Sequence, residues 1–472
     1  MTAAGWIKLR GWFQQATPPA QRPMSAAPRP APAPAEDRFA RLAARRTAGI
    51  RKQPVKPRTR ILFLTHYFPP EGNAPASRVY EMCKRWVRDG HEVTVITGAP
   101  NHPNGVVYPG YRNWPLQQEF MDGIRILRVW TFLAANKGKR RRAINFLSYM
   151  IMSMMLALFL RRRDVLIATS PQFFCGWAGV MVSAIPRVPF ILEVRDLWPE
   201  SITAVGASKR NSLVWLLERM EQQMYNSAFR IVTVGDGYKQ QLVSRRVPAA
   251  KIEVVTNGVD RELFQPDLSD HSIRDQYKLN GHFVCAYVGT IGMASGLGVV
   301  LRAAKILKDK GRNDVRLMLV GDGATRQDLE QSAKQQGLDN VVFTGRLDKK
   351  LVPRVLATVD SCLVHLRRQE LFESVLPSKM FEACGMAKPI ILGVKGCAAK
   401  FLNEANAGIC MEPENEHDLV AAIEKLAADR QLSESFGRSG QAYVRKNFDR
   451  DKLSRDYFNV IRYAIESCPI VV

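Results

Sequence analysis

The chain has 472 residues, 46% of them hydrophobic and 24% charged, a globular composition with length for two or three domains. Its eight cysteines stand singly with no Cys-x-x-Cys pair, which suggests neither a zinc site nor a dithiol motif and suits buried reduced thiols in a cytosolic protein. Net charge is +24, with +11 of it in the first 60 residues; this suits an anionic partner such as an acidic membrane surface or a phosphorylated substrate, and nucleic acid is set aside because no basic helix or aromatic platform is recognisable.

Ala and Pro dominate 17–35, and arginines follow. Such a segment cannot bury enough apolar surface to fold, so 1–57 is expected to be a disordered basic tail. The start, MTAAGWIKLRGWF, does not read as a signal peptide, because Lys8 and Arg10 interrupt any apolar core. Trp6, Trp12 and Phe13 offer contacts to anionic lipid; a mere tail is the simpler reading.

At Arg60 the pattern changes. Ile61-Leu62-Phe63-Leu64 is a short apolar run of the buried parallel-strand kind. A Pro/Gly loop, HYFPPEGNAPAS, leads to a helix over 77–89 with Gly90 at its end, then to a strand over 93–97. This opening predicts a Rossmann-like half. It sets Glu71, Gly72, Asn73 and, in the first helix, Arg78 near the carboxyl end of a strand, where doubly wound sheets bind ligands. The loop is not G-x-G-x-x-G, so a dinucleotide is disfavoured, and no cofactor is expected. Residues 98–123 are aromatic and turn-rich and are expected to wrap the site, ahead of a strand at 124–130.

KGKRRR (137–142) then precedes an uncharged apolar run of 18 residues, 143–160, and RRR (161–163) follows it. As a helix the run is about 27 Å long, enough to span a bilayer. Two features oppose a span. Both flanks are basic, so there is no positive-inside asymmetry, and Rossmann-type strands lie on both sides of the run. The expectation is a helix that packs on the sheet with its basic ends at acidic headgroups; a wholly buried core helix is the other reading. Strands at 165–169 and 190–194 follow, the second running into RDLWPES. Arg195, Asp196 and Glu200 thus lie at a strand's carboxyl end, a functional position. Helix 209–228, strand 229–234, helix 236–246 and strand 252–255 lead to the turn TNGVD.

A second α/β half opens with a strand at 283–289 and the loop GTIGMASGLG, which carries Gly289 and Gly292. The expected elements after it are helix 298–310, strand 315–320, helix 325–336, strand 341–343 ending at Arg346, helix 349–357 and strand 360–364. Residues 371–395 follow, LFESVLPSKMFEACGMAKPIILGVK. Pro377 ends what precedes it, Ser378 reads as an N-cap, and Lys379 takes the first helical position with Glu382 one turn in. A helix N-terminus beside a parallel sheet is a ready anion site, and here it suits a nucleotide diphosphate and its ribose. Strand 408–411, helix 416–429 and a last amphipathic helix over 449–466 close the chain. Asp449-Arg450-Asp451 matches D-x-D, but it opens that last helix, where capping acids belong; no metal is expected.

Several ordered segments resemble glycosyltransferase family 4: YFPPEGNAPASR, TNGVD, LMLVGDG, VVFTGRL, PSKMFEACGMAKPIILG and NAGICMEPEN. The resemblance covers about 60–465. The combination of YFPPE, RDLWPES and PSKMFEA is most similar to the WbuB-type enzymes of O-antigen, capsule and colanic-acid assembly. It implies a GT-B fold, two Rossmann-like parallel-sheet domains facing a cleft, with 58–257 on the acceptor side, 258–448 binding the nucleotide sugar and 449–472 packing back on the first domain. It further implies a retaining transfer, from a nucleotide-diphosphate sugar (UDP favoured over GDP) to a polyprenyl-diphosphate-linked saccharide at the cytoplasmic membrane face, with N-acetyl-L-fucosamine among the sugars such enzymes move.

The family's paired glutamates, with seven residues between them, fall on Ser374, beside Glu373, and on Glu382. Its usual Arg and Lys after the linker fall on Thr290 and Ser295, so Lys379 or Arg195 is expected to supply the missing charge. By the same resemblance Gly72, Asn73, Arg78, Gly289, Gly292, Glu373 and Ser378 belong among the substrate contacts. Lys379 and the 378–380 amides stabilise the leaving phosphate, Glu382 holds the ribose, Val342–Arg346 lines the base pocket, and Asp196 or Glu71 meets the sugar or acceptor hydroxyl. A GT-B-shaped nucleotide-sugar 2-epimerase and a non-catalytic scaffold in a polysaccharide assembly complex are the alternatives.

Overall fold

The computed structural model describes residues 58–102, 104–134, 139–160, 162–170, 173–184, 188–197, 212–267 and 271–468. The tail 1–57, Lys137 and Glu200 lie outside the described residues.

The first sheet has the strand order β3-β4-β2-β1-β5-β6-β7-β8. Its strands are β1 (Arg60–Leu64), β2 (Glu92–Gly98), β3 (Leu116–Met121), β4 (Ile124–Val129), β5 (Val165–Ser170), β6 (Phe190–Val194), β7 (Arg230–Thr233) and β8 (Ile252–Val254). All neighbours are parallel except β3 and β4. Because the pleat alternates, Leu62 and Leu64 face one layer and Ile61 and Phe63 the other. The first layer is built from α2 (Lys139–Phe159) and α3 (Phe173–Ala184), the second from α1 (Ala74–Arg88) and, at the far end of the chain, α15 (Arg450–Ser467).

The second sheet is parallel throughout, in the order β11-β10-β9-β12-β13-β14. Its strands are β9 (Phe283–Val288), β10 (Val315–Val320), β11 (Val341–Gly345), β12 (Ser361–His365), β13 (Ile390–Gly393) and β14 (Gly408–Cys410). Parallel strands send their carboxyl ends to one edge, so each sheet gathers its functional loops on a single rim.

Most sequence expectations shift only at element ends. Helix α1 begins at Ala74 because the Asn73 Oδ1 accepts from the Ala76 amide at 2.9 Å and Pro75 suits the first turn. Two expectations need correction. Residues 116–121 are not loop but the antiparallel edge strand β3, whose polar alternation (LQQEFM) hides it from a search for apolar runs. The 349–357 helix divides into a 3-10 turn at Lys349–Leu351 and the helix Val352–Thr358, with Pro353 at its start.

Helix α2 lies on the sheet through Asn145, Tyr149, Ser153 and Ala157, every fourth residue and all buried. The Tyr149 hydroxyl donates to the Ile96 carbonyl at 2.9 Å, and the Asn145 amide donates to the Phe132 carbonyl at 2.6 Å. Ile144, Leu147, Ile151, Met155 and Phe159 point outward, between 41% and 80% exposed.

The chain crosses between the two sheets at 255–260 and returns at 448–451, where Val259 and Asp449 pair as a parallel bridge. Two arginines of α1 hold this crossing. Arg78 donates to the Val255 and Thr256 carbonyls, both at 2.7 Å, and pairs with the buried Glu193 at 3.2 Å. Arg85 meets Glu81, Asp260 and Asp451 at 2.8, 2.9 and 2.7 Å. Burial alone would raise the Asp260 carboxyl, but the hydrogen bond and charge of Arg85 outweigh it and hold the carboxyl below its ordinary value. A depressed carboxyl stabilises the fold above its unfolded value of 3.8, and that contribution is lost as pH falls below it. Replacing Arg85 by Met strands buried carboxylates and should cost about 3 kcal/mol in urea unfolding near neutral pH; the difference from wild type should shrink as pH is lowered through the carboxylate range.

Candidate active site

The centre of the site is α11 (Ser378–Gly385). The structure shifts its start by one position from expectation. Pro377, in an extended conformation, is the N-cap and makes no side-chain cap bond, so Ser378 is the first helical residue and Lys379 the second. The Met380 amide closes back on the Pro377 carbonyl at 3.1 Å, which leaves the first amides of the helix facing outward.

Lys379 reaches from there over the carboxyl end of β9. Its Nζ stands 3.6 Å from the centre of the Tyr287 ring, a cation–π seat, and closely against Gly289, where a Cβ would lie 3.2 Å from it. Gly289 has φ +143°, and a Cβ on the neighbouring Gly321 would strike the Gly289 carbonyl oxygen. The backbone there runs too tightly for side chains, and that is what lets the lysine lie close.

The loop beyond Gly289 is pinned from below. The Tyr287 hydroxyl bonds the Thr290 carbonyl and the Ser295 hydroxyl, each at 2.8 Å, and the Ser295 hydroxyl donates to the Thr290 carbonyl at 2.9 Å. His365 Nε2 accepts from the Glu414 amide at 2.9 Å, which leaves Nδ1 to donate to the Ser295 carbonyl at 2.8 Å. Ser295 is therefore turned inward and holds the loop shape, with Gly292 at the start of the short turn Met293–Ser295.

Glu382 lies one turn into α11 and lines a small recess with Lys379, Val288, Leu356 and Cys362. Burial holds its carboxyl above the ordinary value, and the charges of Arg450, Lys349 and Lys379 offset that only in part. Lys349 and Arg450 escaped the sequence reading. Arg450 sits between two acids taken for caps; Asp449 does cap α15, accepting from the Asp451 and Lys452 amides, whereas Arg450 donates to the Gly258 carbonyl at 3.0 Å.

Just before α11 the chain touches the first sheet's layers. A Cβ on Gly237 would overlap Ser374, and Val375 packs against the core beneath α2 and α3. Glu373 ends the short helix Glu370–Glu373 with its side chain exposed, and its carbonyl presses on Gly396.

The predicted residues of the first sheet divide. Gly72 is exposed, and Arg346 reaches it from the far rim: a Cβ there would lie 3.7 Å from the guanidinium, which also stands 5.7 Å from the Tyr108 ring centre. Asp196 is half-buried beside Tyr238, and its Oδ1 accepts from the Leu197 amide at 2.9 Å. Arg195 donates to the Pro75 carbonyl at 3.2 Å, and burial brings it down to about 10. Asn73 caps α1. Glu71 is buried, its Oε1 accepting from the Asn101 and His102 amides at 3.0 and 2.9 Å; it shapes the rim loop. Arg78 corrects an expectation. It was placed among the substrate contacts, but it is 5% exposed and occupied by Glu193 and the crossing backbone, so it is structural.

Two parallel α/β lobes with a cation on a helix start beneath paired glycines define a GT-B architecture. Residues 73–258 match the family description "Glycosyl transferase 4-like domain" and 269–443 match "Glycosyl transferases group 1". The chain belongs to this family of glycosyltransferases and is an enzyme of that class. It is similar to the colanic acid biosynthesis glycosyl transferase WcaI of Escherichia coli K12, 23% identical over 85% of this chain and all of that one. It is also similar to a GDP-mannose-dependent alpha-mannosyltransferase of Mycolicibacterium smegmatis, 24% identical over 79% of this chain and 89% of that one. Among solved structures, Anabaena HepE in complex with UDP-glucose superposes with a TM-score of 0.63 at 18% identity, covering 85% of this chain and 99% of that one; that likeness speaks to the fold.

Removing the Tyr287 hydroxyl leaves Ser295 and the Thr290 carbonyl short of a partner. Tyr287→Phe should lose about 1–2 kcal/mol of stability, read by urea unfolding.

Proposed function

We propose that this glycosyltransferase works in bacterial surface-polysaccharide assembly, moving a sugar from a nucleoside diphosphate to a lipid-linked saccharide with retention at the anomeric carbon. The observation that carries the donor side is Lys379, held by Tyr287 and Gly289 at the start of α11 with Glu382 behind it. When the sugar–phosphate bond breaks, negative charge grows on the leaving diphosphate. A fixed ammonium and unpaired helix amides answer it without reorganisation. Glu382, whose recess also holds Lys379 and which feels the charges of Arg450 and Lys349, is suited to hydrogen-bond the ribose hydroxyls. In a retaining displacement of this kind the acceptor attacks on the face the diphosphate leaves, and the departing phosphate oxygen takes the acceptor's proton, so no protein nucleophile is needed. Arg346 approaches Gly72 at the opposite rim, and to Asp196 we assign a sugar or acceptor hydroxyl. The name of the WcaI relative supports the polysaccharide setting. UDP is favoured over GDP as the donor base, although a relative is named for GDP-mannose.

The acceptor reading draws on α2. From Asp122 to Asp164 the chain holds ten Lys and Arg and no acidic residue between them. The outward residues Ile144, Leu147, Ile151, Met155 and Phe159 fall within an arc of about 120° at 100° per residue. An apolar stripe with arginines at both ends suits a helix lying flat in an anionic lipid interface, at the inner face of the cell membrane.

Incubation with a panel of UDP- and GDP-sugars and polyprenyl-diphosphate-linked saccharides should yield one lipid-linked product by mass spectrometry; nucleotide-sugar isomerisation instead of transfer would refute the reading. Lys379→Met should lower kcat by about 10²-fold or more. Glu382→Ala should weaken UDP binding about tenfold with the fold intact by circular dichroism. In flotation with anionic vesicles the full chain should rise with the lipid, and Arg140→Ser combined with Arg141→Ser and Ile151→Glu should stay below; equal flotation would remove α2 from the interface.

A further inference from the structure

A second row of exposed apolar side chains lies beside the stripe of α2. In the edge strand β3, Leu116 is 49% exposed and Phe120 67%, and Trp114, just ahead of the strand, is 54% exposed. The register fixes which way the strand residues point. Leu116 sits opposite Val129, Gln118 opposite Leu127 and Phe120 opposite Arg125, and partners across a ladder share a face. Leu127 and Val129 belong to the core beneath α2 and α3, whereas Met121, of the other parity, packs on the core beneath α1 and α15. Leu116 and Phe120 therefore look out on the same side of the sheet as α2.

The stripe of α2 leans toward this edge. At 100° per residue Arg141, Ser148, Met155 and Phe159 fall within about 40° of one another, on one flank of the stripe. Arg141 stands over the Phe132 ring at 5.9 Å, and the Ser148 hydroxyl accepts from the Phe132 amide at 2.8 Å. Phe132 lies three residues past the end of β4, the strand that carries β3 on its outer side. From that rim α2 runs to the opposite end of the sheet, where Asp164 accepts from the Arg60 amide at 2.8 Å. β3, antiparallel to β4, starts at the same rim. The two rows thus run side by side, about 16 Å from Ile144 to Met155 at the helical rise and about 13 Å from Leu116 to Phe120 at the strand rise.

Charge divides by face as well. On the α2 side lies Arg125, which donates to Gln118 Oε1 at 2.8 and 3.2 Å, and Arg112 stands over the Trp114 ring at 4.8 Å. The acids of the same hairpin are held on the other side: Glu119 by Arg128 at 2.6 Å, and Asp122 by Tyr80 and Lys84 of α1. Apolar side chains and arginines on one face, with an indole at its start, suit the headgroup level of an anionic bilayer. A second copy of the chain paired along β3 would bring like charges together instead.

We propose that β3 is a second arm of the membrane contact, with Trp114, Leu116 and Phe120 entering the headgroup region of an anionic bilayer alongside α2. The proposal rests on the reading above that α2 lies in that interface. A lone helix in an interface leaves the protein free to roll about the helix axis. A second row beside it stops the roll and fixes how the first lobe faces the lipid.

The test floats the full chain with vesicles of phosphatidylglycerol and phosphatidylethanolamine, with phosphatidylcholine vesicles as the neutral reference. Leu116→Thr combined with Phe120→Thr keeps strand-favouring residues at exposed positions and should weaken binding to the anionic vesicles about tenfold. Tyr463→Ser, which removes an exposed aromatic from α15 in the opposite layer, should leave binding unchanged. In the unaltered chain, hydrogen exchange over 114–121 should slow when anionic vesicles are added; this reading needs no variant to fold. Undiminished binding of the β3 variant, or exchange over 114–121 that ignores the vesicles, overturns the proposal. An equal loss in Tyr463→Ser overturns it by assigning the effect to apolarity at large. Binding to phosphatidylcholine as tight as to the anionic vesicles overturns the charge match. A lipid-free dimer that the β3 variant turns into a monomer, read by sedimentation, gives the face to a second copy and overturns the lipid assignment. The two arms fail separately. Binding lost in the α2 variant and kept in the β3 variant removes β3 alone, whereas the reverse removes α2 alone.

Discussion

The two lobes are held by what one helix does to a double crossing of the chain. Arg78 and Arg85 lie seven residues apart on α1, hence on one face. The first grips the outgoing backbone at Val255 and Thr256, the second the acids on both passes, Asp260 going out and Asp451 coming back. Each arginine is desolvated, and each is matched by buried carboxylates, an arrangement that fixes geometry more than it adds stability. The charge set extends into the donor recess. Arg450 lies 3.6 Å from Glu81, and Lys349 feels Glu81, Asp260 and Glu382 together. The carboxylate suited to a ribose thus shares its counter-ions with the joint between the lobes.

The same economy of position appears in α11. A proline fixes where the helix starts, two glycines thin the backbone beside it, and an aromatic ring faces the lysine that results. None of these groups is reactive. Their effect is to hold one positive charge still, which is the chief requirement when a phosphate is the leaving group.

Much of the fold was legible because parallel strands buried on both faces are nearly pure apolar runs, as in Ile61–Leu64 and Ile390–Leu392. β3 was not, since an edge strand with one face open alternates like a loop. Helix α14 (Arg430–Asn447), RQLSESFGRSGQAYVRKN, escaped for a related reason: of its buried contacts Ser433, Gly437, Gly440 and Val444, only Val444 is strongly apolar. In the site, Lys379 and Glu382 could be placed from the Pro377 break alone. Their partners could not. Tyr287, Lys349 and Arg450 come from distant segments and meet only through the second sheet and the return crossing. Arg78 misled because a basic residue near a strand's carboxyl end looks the same in sequence whether it faces a ligand or a backbone.

Val375 belongs by sequence to the segment that leads into α11, yet its side chain is packed among the residues beneath α2 and α3. Any motion that parts the lobes must draw this side chain into water. Such exposure raises heat capacity, and its penalty is largely entropic near room temperature. Cooling therefore loosens this closure while leaving the arginine contacts at the crossing little changed. The half-buried Val375, rather than a charged contact, thus makes this part of the junction the one whose strength varies most with temperature.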